Sequence, residues 1–290
     1  MSGKYALITG ASTGIGYASA AALADSGFHV FAGVRSESDG ERIRVQSGGK
    51  LEPVILDVTN LEDIAAARAH VEKTVGNSGL HGLVNNAGIA VAGPLEFIPM
   101  KDFQRQMDVN VNGLVAVTQA FLPLLRAASG RLCCISSTSG YLSTPFTASY
   151  CASKFAVEAI GDALRMELAP WNIRVSLVEP GASDTPIWQK GKVEIDALLE
   201  YMPPECLMLY GRVIKMLRDD LDKMARSAAP VNTVSRCVVH ALTARRPKTR
   251  YRCAKGRRAY AAWIAARWLP DKLRDKLILK AMGLTGNPQG

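Results

Sequence analysis

The feature that most constrains this sequence is a regular alternation of short apolar runs with longer stretches of helical pattern. Strands separated by helices of this length build a parallel sheet with helices on both faces, because each connection must return to the same sheet. The predicted strands are Tyr5–Thr9, His29–Val34, Leu51–Asp57, His81–Asn85, Arg131–Ser136 and Ile173–Val178. The predicted helices between them are Ile15–Ser26, Leu61–Gly76, Pro99–Ala128 and Tyr150–Leu168.

The pattern changes after Pro180, but no linker divides the chain. Residues 187–227 read as helices of mixed polarity interrupted by a pair of prolines, and Arg250–Cys253 is predicted as a seventh strand at the sheet edge. We therefore predict one domain over residues 1–290. Its class is α/β: a doubly wound parallel sheet of about seven strands with a helical C-terminal extension.

Composition excludes several classes of protein. With 48% hydrophobic and 21% charged residues, the chain has ample material for a core and no signature of disorder. The six cysteines show neither CxxC spacing nor a histidine cluster nearby, so we expect reduced thiols and no metal site. The N-terminus enters a strand almost at once, and no uninterrupted apolar run approaches the ~18 residues of a spanning helix. We therefore expect a cytoplasmic protein without a signal peptide.

Basic residues are concentrated near the C-terminus. Of the 35 Lys and Arg, 13 lie in residues 245–280, which contain only two acidic residues. The rest of the chain is close to neutral, which argues against a nucleic-acid surface over the whole protein. Residues 257–282 predict one or two amphipathic helices broken at Pro270, inside a basic extension over residues 250–290. We favour packing of this extension on the body or a neighbouring subunit over contact with a membrane or an acidic partner.

A glycine-rich turn follows the first predicted strand and opens the first predicted helix. In it Gly10 allows a tight turn, Gly14 lets the backbone approach a pyrophosphate, and Gly16 lets helix and strand pack closely. The phosphates would lie at the positive end of the helix dipole. Such a turn alone also fits a structural loop, but this order of strand, turn and helix predicts a dinucleotide site of the Rossmann type. The predicted contacts are Gly10, Ser12, Thr13, Gly14, Ile15 and Gly16.

The end of the second predicted strand bears on the choice of cofactor. A carboxylate there usually binds the ribose 2′-hydroxyl of NAD, whereas an arginine accommodates the 2′-phosphate of NADP. The chain has Val34-Arg35 at this point, followed by Glu37 and Asp39, which can still reach the ribose. We therefore predict NADP(H) as the preferred cofactor, with NAD(H) as the alternative. Arg35 also fits a solvated surface charge.

Two further strand ends supply predicted cofactor contacts. Asp57 ends the third strand, where its carboxylate can reach an adenine amino group, and Val58 follows it. Asp57 also fits a helix N-terminal acid, and both roles can hold together. Asn86, Ala87 and Gly88 close the fourth strand, where small residues let the nicotinamide ribose pass close to the backbone.

The candidate catalytic residues follow the fifth strand. Tyr150 and Lys154 lie one helical turn apart, and Ser137 ends the strand, where it can hydrogen-bond a substrate oxygen. A neighbouring ammonium favours the phenolate, so we expect Lys154 to lower the pKa of Tyr150 from about 10 and to bond the nicotinamide ribose. Asn110 lies inside a long predicted helix, where a kink with a bound water would supply a proton path to Lys154. Taken alone, Asn110 fits a helix amide with satisfied hydrogen bonds.

Together these motifs resemble the short-chain dehydrogenase/reductase family, whose TGxxxGxG, NNAG, Asn, Ser, YxxxK and PG motifs occur in order across residues 5–186. The resemblance implies that Tyr150 is the general acid in reduction and that Pro180-Gly181 and Thr185 contact the nicotinamide carboxamide. The segment YCASKFAVE also resembles the hydroxysteroid and retinol dehydrogenase branch. The family resemblance further implies a homodimer or homotetramer. It implies a catalytic tetrad of Asn110, Ser137, Tyr150 and Lys154.

Substrate specificity is predicted to lie in a lid over residues 182–230, which follows the carboxyl edge of the sheet. Its apolar content favours a bulky lipophilic alcohol or ketone, such as a steroid, retinoid or long-chain acyl compound, although these residues also fit simple packing of a helical lid. The alternatives are a 3-oxoacyl-[acyl-carrier-protein] reductase and a catalytically idle cofactor-binding scaffold. The apolar residues are Ile187, Trp188, Leu198, Leu199, Tyr201, Met202, Leu207, Met208, Leu209 and Tyr210, with Leu142, Ser143 and Phe146 as another wall.

Overall fold

The structure is a computed structural model. It describes residues 3–185, 202–253 and 268–284 and positions 193, 195, 196, 199, 200 and 256, without the side chains of 220–224 and 227. The strands are β1 (Lys4–Ile8), β2 (Phe28–Val34), β3 (Leu51–Ile55), β4 (Gly82–Asn85), β5 (Arg131–Ile135), β6 (Arg174–Pro180) and β7 (Arg250–Cys253). They form one parallel seven-stranded sheet in the order β3-β2-β1-β4-β5-β6-β7. This confirms the predicted fold class, including the edge strand β7.

The helices alternate with the strands along the chain. They are α1 (Gly14–Asp25), α2 (Glu37–Gln46), α3 (Leu61–Val75), α4 (Met100–Met107), α5 (Gly113–Ala128), α6 (Ala148–Glu167), α7 (Pro204–Ser227), α8 (Val231–Thr243) and α9 (Asp271–Ala281). A π-turn, Asp108–Asn112, joins α4 to α5. The proline pair predicted to interrupt the lid helices lies at the start of α7, where Pro204 is tolerated because the first helical turn needs no amide donor.

Successive residues of each strand point to opposite faces of the sheet, so their side chains pack in two separate hydrophobic cores. Leu7 packs in the core that α3, α5 and α6 cover, together with Phe121. Its neighbours Ala6 and Ile8 pack in the opposite core, which α1 and α8 cover. Because both faces are buried, the strands are nearly continuous apolar runs.

The chain crosses over between β3 and β4, so β1 is flanked by β2 on one side and β4 on the other. The connections after β1 and β4 therefore leave the sheet in opposite directions and open a crevice at its carboxyl end. In a sheet of this kind ligands bind at this topological switch point. The fold thus places the turn after β1 and the strand end after β4 side by side.

Several boundaries differ from the sequence-based predictions. The third strand ends at Ile55 instead of Asp57, and the predicted helix Pro99–Ala128 is divided by the π-turn. Helices α2 and α8 have no counterpart among the predicted helices. Helix α2 is strongly polar and buries only Gly40 and Ile43, so it has almost no apolar periodicity to detect.

One helical stretch among the described residues, Met100–Ala128, is long and apolar enough to cross a membrane. It comprises α4, the π-turn and α5. Its inward side chains include Leu114, Val117 and Phe121, which are buried against the sheet. The apolar character of this stretch is accounted for by its place in the core.

Candidate active site

The glycine-rich turn connects β1 to α1 with a backbone that only glycine adopts easily. Gly10 and Gly14 have φ values of 64° and 56°, in the left-handed region. A Cβ on Gly16 would lie 2.2 Å from the carbonyl oxygen of Gly10, so no larger residue fits there. The first turn of α1 carries no acidic side chain, and Thr13 makes no side-chain cap. The free amides at this helix end therefore fit an anionic pyrophosphate.

The end of β4 holds this turn in place. The Asn86 side chain donates to the carbonyl oxygens of Thr9 (2.9 Å) and Gly10 (3.0 Å), and the Asn86 and Ala87 amides donate to Thr9 Oγ1 at 3.0 Å. A Cβ on Gly10 would lie 2.9 Å from the Cα of Ala87. The small residues at this strand end thus allow the two loops to lie in contact, while the Asn86 amide stabilises the turn. Gly88, next in the chain, would meet Asn110 Oδ1 at 3.3 Å if it carried a Cβ.

The end of β2 presents a positive charge. Arg35 follows the last residue of the strand and is exposed to solvent. Asp39 forms an ion pair with Arg42, and this hydrogen bond is the main cause of its lowered pKa. Glu37 is exposed in the first turn of α2. Of the two acids that could replace Arg35 as a ribose partner, one is therefore already engaged.

Asp57 and Val58 follow β3. The Asp57 carboxylate accepts from the Thr59 amide (2.9 Å) and the Thr59 hydroxyl (2.7 Å), which is the geometry of a capping turn before α3. Asn60 is the N-cap residue of that helix. Val58 is buried, and a Cβ on Gly113 would lie 2.7 Å from its Cγ2 atom. The Asp57 carboxylate therefore orders the turn that leads into α3, whose first turn itself carries Glu62 and Asp63.

Asn110 lies in the π-turn and is fully engaged. Its Oδ1 accepts from the Ile89 amide (2.8 Å), and its Nδ2 donates to the Ile89 carbonyl and to Ser153 Oγ at 3.0 Å each. Ser153 in turn donates to the carbonyl of Tyr150 at 2.7 Å. The predicted kink is confirmed as a π-turn, a device common at functional sites. Because its partner is Ser153, Asn110 is tied to the helix that carries Tyr150 and Lys154.

Ser137, Tyr150 and Lys154 meet at the carboxyl ends of β5 and β6. The Lys154 ammonium donates to the Ile135 carbonyl at 2.9 Å and lies 5.7 Å from the centre of the Tyr150 ring. Ser137 lies close enough to the Tyr150 hydroxyl to lower its pKa, and its Oγ atom is 3.5 Å from the carbonyl oxygen of Pro180. Ser137 and Lys154 are buried, whereas Tyr150 is partly exposed. The structure thus brings the four predicted catalytic residues together.

The electrostatics of this group differ from the sequence-based expectation. Burial raises the pKa of Tyr150, and the neighbouring Ser137 side chain lowers it only in part, so a net lowering by Lys154 was the wrong prediction. Burial also lowers the pKa of Lys154 to about 8, opposed by Cys134 and Glu158. At neutral pH the ammonium is therefore mostly charged, close to the point at which it loses its proton.

The predicted nicotinamide segment lies beside this group. The Gly181 amide donates to the Cys253 carbonyl at 2.9 Å, so the end of β7 supports the Pro180-Gly181 segment. Thr185 Oγ1 lies 3.5 Å from the Ser183 carbonyl oxygen. Thr185, inside the predicted lid, is the last continuously described residue before position 186.

Sequence reasoning missed a buried ionic cluster beneath the site. Glu179 is fully buried in β6, and its carboxylate meets Arg250 (3.2 Å) and Arg252 (3.0 Å) from β7. Arg250 also meets Glu158 and Asp162 of α6 at 3.0 and 2.8 Å. Glu179 precedes Pro180, and Glu158 lies one turn beyond Lys154. The sequence did contain a signal for this cluster, since Glu179 interrupts an otherwise apolar strand. A buried carboxylate requires a cationic partner.

The described part of the lid has its own small core. Cys206 and Ile214 pack with Met202, and Tyr210 packs at the edge, whereas Met208 is exposed. The Tyr210 ring lies 5.9 Å from that of Phe97 and 6.0 Å from that of Phe146. Phe146, predicted as a wall of the site, is thus in contact with the lid. The predicted lid residues Ile187, Trp188, Leu198 and Tyr201, and positions 257–267 of the basic extension, lie outside the described residues.

Comparisons with known proteins agree with this geometry. The family described as short chain dehydrogenase matches residues 4–195. Retinol dehydrogenase 7 of Rattus norvegicus is 38% identical over 283 residues, which cover 95% of this chain and 87% of the relative. The 17-beta-hydroxysteroid dehydrogenase type 6 of Bos taurus is 37% identical over 283 residues, covering 96% of this chain and 88% of the relative.

Solved structures share the fold. A short chain dehydrogenase from Burkholderia cenocepacia J2315 in complex with NADP superposes with a TM-score of 0.70 at 26% identity, covering 98% of both chains. A 3-ketoacyl-(acyl-carrier-protein) reductase from Brucella melitensis complexed with NADH gives a TM-score of 0.71 at 25% identity, covering 88% of this chain and 98% of that one. The chain therefore belongs to the short-chain dehydrogenase/reductase family, in its retinol and hydroxysteroid dehydrogenase branch, and is an NAD(P)-dependent oxidoreductase acting on CH–OH groups.

Proposed function

We propose that this enzyme interconverts a hydrophobic ketone or aldehyde and its alcohol, with NADP(H) as the preferred cofactor. The observation that carries the proposal is the joined group of Asn110, Ser137, Tyr150 and Lys154 at the carboxyl end of the sheet. A scaffold that no longer turned over would have no need to keep a buried lysine beside a buried serine, since both cost stability.

In the reductive direction the Tyr150 hydroxyl gives its proton to the carbonyl oxygen as the alcohol forms. Its raised pKa keeps it protonated at neutral pH, as an acid must be. Ser137, which lies beside Tyr150, donates to the same carbonyl oxygen and fixes its position. The nicotinamide cofactor supplies the hydride when bound. Lys154 stabilises the phenolate left after proton transfer, and Asn110 holds the helix that carries both residues.

The preference for NADP(H) rests on the charge pattern after β2. Arg35 is exposed directly after β2, and among the described residues its charge acts on Asp39 without forming a salt bridge. Asp39, one of the two acids that could bind the ribose, is paired with Arg42. A planar guanidinium recognises phosphate well. The cofactor contacts proposed with Arg35 are Gly10, Ser12, Thr13, Gly14, Ile15, Gly16, Asp57, Val58, Asn86, Ala87, Gly88, Tyr150, Lys154, Pro180, Gly181 and Thr185.

The hydrophobic substrate class is supported by the rings and apolar groups that face the lid. Phe97 lies before α4 and Phe146 in the connection between β5 and α6, and Tyr210 of α7 packs edge-on against both rings. Aromatic walls with few polar groups favour lipophilic ligands. Retinol dehydrogenases and a 17-beta-hydroxysteroid dehydrogenase among the relatives support a retinoid or steroid-like compound. The homodimer or homotetramer, the cytoplasmic location, the single-domain organisation and the packing of the basic extension stay predictions.

The test is titration calorimetry with NADPH and NADH in parallel, followed by turnover assays. We expect NADPH to bind at least 10-fold more tightly, since a charge-assisted phosphate contact contributes about 1.5–3 kcal/mol. Turnover would then be measured with retinoid and steroid substrates and with an acyl-carrier-protein thioester. Preference for NADH would overturn the role of Arg35, and efficient turnover of the thioester would favour the acyl reductase instead. Binding of a cofactor without turnover of any of these substrates would favour the idle scaffold.

A further inference from the structure

Two thiols lie in contact at the edge of the sheet, outside the proposed catalytic residues. Cys253, the last residue of β7, donates a hydrogen bond to the sulfur of Cys237 in α8, with the two Sγ atoms 3.0 Å apart. The residues come from different elements, 16 positions apart in the chain. Their packing in one core cluster holds the sulfurs together.

The two thiols differ in reactivity. Cys237 is partly exposed, and the hydrogen bond from Cys253, supported by the charges of Arg236 and Lys248, lowers the pKa of its thiol to about 7. Cys253 is buried, and the same contact raises its pKa. Cys133, in the same core cluster, has a pKa raised well above its usual value by burial. Cys237 is thus an accessible thiolate with a thiol in contact with it, which is the arrangement of an attacking and a resolving cysteine.

We propose that Cys237 and Cys253 are a modification site, a dithiol that a hydroperoxide oxidises to an intramolecular disulfide. The Cys237 thiolate attacks the peroxide, whose O–O bond breaks, giving a sulfenic acid and a hydroxide that takes up a proton. The Cys253 sulfur then attacks the Cys237 sulfur and expels its oxygen, which leaves as water with the Cys253 proton. In total two thiols lose two electrons and two protons, and one hydrogen peroxide becomes two waters.

The position of the bridge connects it to the cofactor site. The carbonyl of Cys253 accepts from the amide of Gly181, next to Pro180. A bond between Cys253 and α8 therefore fixes the strand end that supports this segment. Oxidation is expected to raise the midpoint of thermal unfolding by a few degrees, because closing a short loop restricts the unfolded chain.

The experiment treats the full-length enzyme with a small excess of hydrogen peroxide, counts free thiols, and maps cross-linked peptides by mass spectrometry. The six free thiols are expected to fall to four, with a mass loss of about 2 Da that dithiothreitol reverses. The linked peptides are expected to join Cys237 to Cys253. Cys206→Ser is the matched control, because it removes a thiol elsewhere and leaves this oxidation unchanged.

Cys237→Ser and Cys253→Ser each remove one partner, and neither variant is expected to form the bridge. Should the buried Cys253 variant fail to fold, the partly exposed Cys237 variant alone still tests the claim. Six thiols left intact in the wild type, a link between two chains, or oxidation of Cys237 without bridging would each overturn the proposal. None of these readouts depends on turnover, so they are independent of the proposed function.

Discussion

The two ends of the central sheet carry polar clusters of opposite character. At the amino end, Glu52 hydrogen-bonds His29 and His70 at 2.5 Å, and water reaches all three side chains. At the carboxyl end, Lys154 and Glu179 are buried, and two polar atoms near them, Ser136 Oγ and Glu158 Oε1, have no hydrogen-bond partner among the described residues. Water therefore screens the first cluster and is largely excluded from the second.

Left-handed backbone at residues other than glycine occurs at both ends, with Ser129 and Asn172 just before β5 and β6 and Phe146 at the carboxyl end. Phe146, a bulky residue just before α6, has a φ of 66°, and the π-turn interrupts a helix close by. Such conformations cost about 1–3 kcal/mol each and persist where the surrounding structure enforces them. The comparison indicates that the buried charges at the carboxyl end lower the stability of the fold and serve the reaction. The solvent-exposed ion pairs at the amino end change stability little in either direction. Four predictions test this difference.

The largest effect is expected from Lys154→Met, which keeps the aliphatic stem and removes the charge. We expect kcat/KM to fall by about 10³-fold, within the range for loss of acid–base assistance. Because a buried ammonium is disfavoured, the midpoint of thermal unfolding should stay the same or rise. Steady-state kinetics and calorimetric melting check both parts. A marked loss of stability would show that Lys154 stabilises the fold, which would contradict the proposed difference between the two ends of the sheet.

The next effect is expected from Arg250→Met, which leaves Glu179 and Glu158 without their shared partner. Removing one member of a buried ionic cluster costs about 3 kcal/mol. Arg44→Met is the matched control, since Arg44 pairs with Glu41 in solvent and is expected to change stability by less than about 0.5 kcal/mol. Urea unfolding of both variants measures the difference. Equal effects would show that burial does not separate the clusters.

The third prediction concerns the pH dependence of reduction. Lys154 is charged below its pKa of about 8 and neutral above it. With the ammonium required for proton transfer, kcat/KM for a carbonyl substrate should be level below this pH and fall up to 10-fold per pH unit above it. A pH profile of kcat/KM, measured with NADPH, shows whether this fall above pH 8 occurs. A profile that stays level to pH 10 would contradict a catalytic role for this charge.

The smallest effect is expected from Glu52→Gln at the amino end. Burial raises the pKa of Glu52, but hydrogen bonds from His70 and His29 outweigh it, and the net pKa is lowered. The stabilisation is therefore present above the unfolded carboxyl pKa and lost as the pH falls through the folded value. We expect about 0.5 kcal/mol at pH 7 and no difference in strong acid. If the variant lost more than about 2 kcal/mol in the free energy of unfolding in urea, the Glu52 cluster would behave like a buried ionic cluster, and the comparison would be wrong.

Much of the fold was predictable because apolar runs and glycines act locally. The positions of the strands along the chain and the turn from Gly10 to Gly16 follow from short-range patterns. Local sequence motifs likewise predicted that Ser137, Tyr150 and Lys154 belong to one site at the carboxyl end of the sheet. Helix α2 was missed because it buries little.

Contacts between distant residues could not be predicted in the same way. Glu179 and Arg250 are 71 positions apart and meet only because β7 pairs with β6. The raised pKa of Tyr150 likewise depends on burial by the whole fold, which outweighs the lowering by the Ser137 side chain. Sequence patterns therefore located the candidate site, and tertiary packing determined its electrostatics.

The central claim is that Tyr150 is the proton donor, and Tyr150→Phe tests it most directly. NADPH oxidation at 340 nm would be followed in a single turnover with a hydrophobic ketone, alongside calorimetric binding of NADPH. We predict that the variant binds NADPH within about threefold of the wild type and loses about 10²–10⁴-fold in the rate of turnover. Retention of most of the wild-type rate would contradict the assignment of Tyr150 as the acid.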